Sequence, residues 1–201
     1  MAISEVSEKP YILTDIDDTV LECSGVLQKF IEENLGIKAK KPLRDTHYIN
    51  NSFDLSISEC DNIAKKFWDD PIFSTLEPEP CAKIVIPKLM EKYTFIGISN
   101  CHDAPVCKEH RGNNINKHFC GAFEYIFHTW PGGKLEYLDL PEYKQSIWVE
   151  DNIKNAYIGA KLGHRTFILD RPHNRISQNF DERIPITRVH NWHDIFQILE
   201  G

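Results

Sequence analysis

Tyr11-Ile12-Leu13-Thr14-Asp15-Ile16-Asp17-Asp18-Thr19-Val20 is the stretch on which the rest of the chain turns. A short apolar run feeds into three carboxylates, Asp15, Asp17 and Asp18. Such a run reads as a buried strand, which puts the carboxylates at its carboxyl end. Crowded carboxylates repel one another unless something cationic neutralises them. A hard divalent cation with oxygen ligands meets that need, and magnesium is the usual choice beside a phosphate. The competing reading is an acidic, solvated turn in which Asp18 or Thr19 caps a helix.

Working outward, four more apolar runs read as strands: Tyr93 to Ile98, Phe123 to Phe127, Ser146 to Val149 and Arg165 to Leu169. Helical segments alternate with them. Asn152 to Leu162 is one, closed by Gly163, and Asn191 opens a last one in which Ile195, Phe196, Ile198 and Leu199 face the core. This alternation predicts an α/β fold, a parallel sheet with helices on both faces. Between Val20 and Lys83 the strand signal fades. Val26, Leu27, Phe30, Ile31 and Leu35 are spaced as on a helix, and so are Ile57, Cys60, Ile63, Ala64, Phe67 and Trp68. Lys38 to Asn51 reads as irregular, and Glu77-Pro-Glu-Pro80 as a stiff connector. The expected organisation is a core of residues 1–19 and 84–201 with a helical insertion at 20–83. Pro87 lies inside an apparent helix from Cys81 to Tyr93, which should therefore kink or begin late.

In open parallel sheets ligands bind beyond the carboxyl ends of the strands. Three further strand ends carry complementary groups. Trp148-Val-Glu150-Asp151-Asn152 supplies a second acidic pair that can share a cation with the first. Ser99-Asn100 offers a hydroxyl and an amide to phosphate oxygens, although alone it is a polar turn. Lys134, in Trp130-Pro-Gly-Gly-Lys134, can hold a carboxylate and a phosphate together, although alone it is a solvated lysine.

The 201 residues, 41% hydrophobic and 26% charged, suit one globular domain or one domain with an insertion. A formal net charge of −7 disfavours a duplex nucleic-acid partner but admits a small phosphate ester beside a bound cation. No apolar run reaches the ~18 residues of a membrane span, and Met1 to Pro10 has no leader-like apolar stretch. The six cysteines are then expected as free thiols in a reducing, cytoplasmic setting. A monomer and a homodimer both remain open.

The ordered set resembles the haloacid-dehalogenase (HAD) superfamily of phosphohydrolases. Its first motif is matched by Asp15, Asp17, Thr19 and Val20, its second by Ser99, its third by Lys134 and its fourth by Glu150-Asp151. A narrower resemblance, to the 5'(3')-deoxyribonucleotidases, rests on Phe67 to Pro80, on Ile147 to Asp151 and on Val189 to Asp194. The chain departs from that family at Asp17-Asp18-Thr19, where Asp-Gly-Val is usual, and at Ile98-Ser99-Asn100, where Thr-Ser-Pro is usual. The resemblance implies a three-layer, Rossmann-like core with a small helical cap after the first strand. It implies Asp15 as nucleophile, Asp17 as acid and base, and Mg²⁺ held by Asp15, the Asp17 main-chain carbonyl and Asp151. It further implies Ser99, Asn100 and Lys134 as phosphate ligands, with Glu150 and Thr19 behind them. Phe67, Trp68 and Phe73 would be base contacts, with Tyr48 a weaker candidate, and packing is the competing role. The implied substrate is a nucleoside monophosphate. A polynucleotide 3'-phosphate, a small phosphometabolite and a non-catalytic HAD-like binding protein are the alternatives.

Two other groups invite a reading. Cys101, His102, Cys107, His110, His118 and Cys120 cluster in sequence, but their spacing matches no common zinc finger, so a helix with scattered Cys and His is expected. Arg171-Pro-His173-Asn-Arg175 reads as a solvated loop or as a substrate contact on the same sheet edge.

Overall fold

The computed structural model describes residues 9–130, 132–175 and 183–201. The leader reading of the N-terminus falls up to Glu8 outside the described residues, as does Pro131 in the turn before Lys134. The chain opens with β1 (Tyr11–Thr14). Five helices follow: α1 (Ser24–Leu35), α2 (Leu43–Thr46), α3 (Ile49–Ser52), α4 (Ile57–Asp69) and α5 (Pro80–Leu89). Then come β2 (Thr94–Asn100), α6 (Pro105–Phe119), β3 (Phe123–Thr129), α7 (Lys134–Leu138), β4 (Ile147–Glu150) and α8 (Ile153–Lys161). β5 (Arg165–Leu169), β6 (Ile186–Val189) and α9 (Trp192–Glu200) complete it.

The six strands form one parallel sheet in the order β3-β2-β1-β4-β5-β6. The chain builds outward from β1 in both directions, so the topological switch lies at the end of β1, where open sheets place their ligands. β1 is central and buried, and Ile12 and Leu13 are 0% exposed on its two faces. Ile12 joins the core containing Phe95, Phe167 and Trp192, whereas Leu13 joins the layer of Ile96, Ile98 and Trp148. β6 was not foreseen. It is an edge strand whose Thr187 and Arg188 are exposed, so it lacks the apolar run that marked the others.

Two expectations are corrected. α5 does not begin late: it starts at Pro80, with the Glu79 side chain accepting from the Ala82 N–H at 2.6 Å, and it runs through Pro87 to Leu89. Pro87 and Lys83 are exposed, so the Lys83 carbonyl that loses its helical donor faces water. Val20 and Leu21 are fully buried in the core, and Glu22 N–H donates to the Glu77 carbonyl at 2.8 Å. Glu79 N–H donates to the Val20 carbonyl at 2.8 Å, tying the two stems of the insertion together. The stretch from Lys38 to Asn51, expected as irregular, contains α2 and most of α3, each a single turn.

α8 begins at Asn152, whose side chain accepts from Lys154 N–H at 2.9 Å. It packs on β4 through Gly159: a Cβ there would stand 2.3 Å from the Trp148 ring. Trp148 is fully buried and cannot yield without moving its neighbours. Gly159→Ala should therefore destabilise the protein by about 1–3 kcal/mol. Thermal unfolding measures it, and an unchanged Tm would contradict this packing. Among the described residues no helix is long and apolar enough to cross a membrane.

Candidate active site

Register brings the expected strand ends together. Thr14 pairs with Gly97 of β2 and with Val149 of β4, so Asp15 leaves the sheet between the ends of those strands. Asp15 N–H donates to the Val149 carbonyl at 2.9 Å. The carboxylate of Asp15 is buried and accepts from the Lys134 ammonium and, at 3.3 Å, from the Thr19 hydroxyl. Lys134 starts α7 and is 1% exposed. It also donates to Glu150 at 3.0 Å. Glu150 is held from behind by the Asn155 amide at 2.9 Å and by Asn152 N–H at 3.3 Å.

Burial, reinforced by the charge of Glu150, pushes the Asp15 carboxyl well above the usual range, and Lys134 only partly opposes it. Burial would lower the Lys134 pKa, but Asp15 and Glu150 raise it, so the ammonium stays charged. Asp151 is buried too, yet the hydrogen bond from His173 and the charges of His47, His173 and Lys134 hold its carboxyl below the usual range. His173 Nε2 sits 3.2 Å from that carboxylate and 3.1 Å from the Asp151 carbonyl oxygen. Asp151 thereby outweighs the effect of burial and raises the His173 pKa.

Asp15, Glu150 and Asp151 each present an oxygen within 4.8 Å of the others. Asp151 Oδ2 is buried, with His173 Nε2 3.2 Å and His47 Nδ1 3.9 Å away. Three buried carboxylates that converge in this way fit a hard divalent cation. The Asp17 carboxylate is not part of that group. It accepts at 2.6 and 2.7 Å from Nη2 of Arg111, which is fully buried on α6 with Phe73 4.2 Å from the guanidinium.

Asp18 turns the chain. Its φ of 57° is a left-handed conformation that favours glycine, the residue usual there in the family this segment resembles, and that aspartate tolerates. Its carboxylate accepts from Ser24 and from Cys23 N–H at 3.0 Å, so it caps α1. The capping reading therefore holds for Asp18, beside Asp15 and Asp17.

Ser99 is fully buried, with the Cys101 thiol 3.5 Å from its hydroxyl. Asn100 Oδ1 is buried without a donor. Phe67 and Phe73 are 0% exposed and meet edge to face in the core, with no face free for a base. Trp68 is partly exposed and stacks on His102, 5.5 Å between centroids, beside half-exposed Trp130. Tyr48 is 45% exposed against His47.

Of the clustered Cys and His, Cys101 and Cys107 stay together beside His128, and the others are dispersed. His110 reaches the Trp68 carbonyl, His118 the Leu76 carbonyl, and Cys120 is exposed. In the basic stretch, Arg171 donates to the Asp18 carbonyl at 3.0 Å, and Arg175 pairs with Asp170. Arg171, His173, Arg44 and Thr75 line a cleft of about 330 Å³ between insertion and core, bordered by Asp18.

Sequence reasoning missed Arg111 and His47. Arg111 carried one signal: with Cys107, Asn114 and Ile115 it falls on the buried face of α6, where a charge needs a partner. His47 sits in a stretch without periodicity and is brought to Asp151 only by tertiary packing, with Nδ1 3.9 Å away.

No family model matches the chain. Among solved structures, the magnesium-bound HAD protein YfnB of Bacillus subtilis aligns with a TM-score of 0.65 at 13% identity, covering 96% of this chain and all of that one. This chain has the HAD-like fold. A HAD family hydrolase of Deinococcus radiodurans with bound phosphate and sodium aligns at 0.62 with 13% identity, covering 95% of each chain. The D,D-heptose 1,7-bisphosphate phosphatase of Burkholderia thailandensis aligns at 0.57 with 10% identity, over 96% of this chain and 100% of that one. In sequence, an uncharacterised 32.4 kDa protein of enterobacteria phage T4 is 27% identical over 199 residues, 93% of this chain and 68% of its own length.

Proposed function

We propose that the chain is a magnesium-dependent phosphomonoesterase acting on nucleoside monophosphates. The observation that carries this reading is the buried Asp15–Lys134–Glu150 arrangement, with an Asp151 carboxylate oxygen within 4.8 Å of those of Asp15 and Glu150. The HAD-like fold also houses dehalogenases, as several of its structural neighbours are. Asp17, two residues after Asp15, favours a phosphate ester, because that reaction needs a second group to handle the proton of the leaving oxygen.

In this reading Asp15 attacks phosphorus and the bond to the leaving oxygen breaks, giving an aspartyl-phosphate. Asp17, turned from Arg111 and protonated from solvent, gives the leaving oxygen its proton, then takes one from the water that attacks the intermediate and releases phosphate. Before that turn, Arg111 sets the rotamer of Asp17 from a rigid, buried helix face. Lys134, Ser99 and Asn100 bind phosphoryl oxygens, and Glu150 holds Lys134 in place. Asp15, Asp151 and the Asp17 carbonyl would hold Mg²⁺, which supplies positive charge against the transferring group. The helical insertion covers the site and excludes water. The cleft lined by Arg171 and His173 has the size of a small-ligand pocket.

A panel of deoxy- and ribonucleotides, sugar phosphates and 3'-phosphorylated oligonucleotides tests the substrate. Nucleoside monophosphates should be turned over fastest, and only with Mg²⁺. Undiminished hydrolysis in excess chelator would refute the metal, and preference for oligonucleotide ends or sugar phosphates would move the substrate to those classes. Trp68 is the base-contact candidate that remains. Trp68→Ala should raise KM for nucleotides about tenfold, in line with one lost stacking contact, and leave an aryl phosphate nearly unchanged. Equal changes for both substrates would assign Trp68 to packing.

A further inference from the structure

Beside the carboxylate site lies a second cluster with no part in the proposed reaction. Cys101, just past the end of β2, Cys107 in the first turn of α6 and His128 near the end of β3 present their Sγ and imidazole nitrogen atoms within 4.8 Å of one another. Cys101 Sγ and His128 Nδ1 are 3.1 Å apart. Both thiols are 0% exposed, and the histidine is partly exposed, which leaves an approach from solvent.

We infer that Cys101, Cys107 and His128 form a soft-metal site that takes zinc or a similar thiophilic ion, separate from the oxygen site at Asp15. Tetrahedral zinc has bonds of about 2.3 Å to sulfur and about 2.0 Å to imidazole, which places neighbouring ligand atoms some 3.5 Å apart. The present cluster needs only small side-chain shifts to reach that. Two thiolates neutralise a dication within the site. The nearest buried cation, Arg111, is balanced separately by Asp17, so the charges close locally. The sheet places two of the ligands, since Ser99, two residues before Cys101, pairs with His128 in the β2–β3 register, and α6 supplies Cys107. A site on strand ends is preorganised, and three protein ligands leave a fourth position for water.

Arg111 Nε and Nη1 are buried without acceptors. The hydrogen bond with Cys107 and then that with His128, helped by the charge of Arg111, hold the Cys101 thiol below its ordinary range, whereas the same bond and burial push Cys107 well above it, so the metal must displace the proton of Cys107. The neutral imidazole of His128 completes a ligand set of the soft class, unlike the all-oxygen set of Asp15, Glu150 and Asp151.

Cobalt(II) titration of the reduced, metal-free full chain tests this, because only sulfur ligands give a thiolate-to-cobalt charge-transfer band. The band should saturate at one equivalent per chain and disappear when zinc is added. It should be lost in Cys101→Ser and Cys107→Ser, weakened in His128→Gln, which alters a partly exposed side chain, and kept in full in Asp151→Asn. No band in the wild type, or a full band in both cysteine variants, would overturn the site. So would a Cys101–Cys107 disulfide that persists in the presence of reductant. The readout is independent of turnover, so it stands or fails apart from the proposed reaction.

Discussion

Asp15→Asn should lower kcat for an aryl phosphate by about a thousandfold or more, roughly 4 kcal/mol of lost transition-state stabilisation. The substitution keeps the side-chain volume and an oxygen for Lys134, while the amide nitrogen that takes the other oxygen's place can donate to the Thr19 hydroxyl. It removes the attacking oxygen anion, for which an amide is no substitute. It also removes the charge that Glu150, Asp151 and Asp17 repel. The fold should therefore survive, and the melting curve should stay cooperative. A loss of activity alone would not separate a nucleophile from a metal ligand. Acid-quenched wild-type protein should carry a hydroxylamine-labile phosphoryl group after turnover, and Asp15→Asn should carry none. Asp151→Asn, by contrast, should recover activity as Mg²⁺ is raised. Full activity of Asp15→Asn, or a phosphoryl group trapped on it, would remove Asp15 from the nucleophile's role.

The strands that build the site were legible in sequence because each is buried on both faces. Tyr11–Thr14, Thr94–Asn100 and Ile147–Glu150 are nearly continuous apolar runs ending in polar residues, and a parallel sheet brings such ends to one edge. Asp15, Lys134, Glu150 and Asp151 could therefore be grouped without any knowledge of distances. β6 was illegible because an edge strand has only one neighbour and Thr187 and Arg188 face solvent. The aromatic residues of α4 and the turn after it were legible as a periodic pattern but not as roles. Periodicity says that Phe67 and Trp68 lie on or near an apolar face; only packing shows that Phe67 is enclosed by Phe30 and Phe73 while Trp68 reaches the surface. Partners distant in the chain were illegible for a simpler reason. Arg111 lies 94 positions from Asp17, and nothing local in either segment names the other.

Lys134→Met should cost about 3–5 kcal/mol of stability. The lysine is 1% exposed and is the cation shared by Asp15 and Glu150, with the Trp148 ring 5.4 Å from its ammonium. Methionine preserves most of the apolar stem but leaves two buried carboxylates facing each other and Asp151. The deficit has a direction with pH. The folded-state pKa of Asp15 and that of Glu150 already lie above their ordinary values, and Lys134 is the group that holds them down. Removing it raises both further. A carboxyl whose pKa is higher folded than unfolded destabilises the protein when ionised, and that penalty is relieved as pH falls through the folded pKa. Denaturant unfolding of the variant should accordingly approach that of the wild type as pH is lowered from neutral toward about 5. Mg²⁺ should act in the same sense at neutral pH, because a dication among Asp15, Glu150 and Asp151 replaces the missing charge, and it should raise the Tm of Lys134→Met more than that of the wild type. A variant as stable as the wild type at neutral pH without Mg²⁺ would mean that solvent, rather than Lys134, compensates these carboxylates.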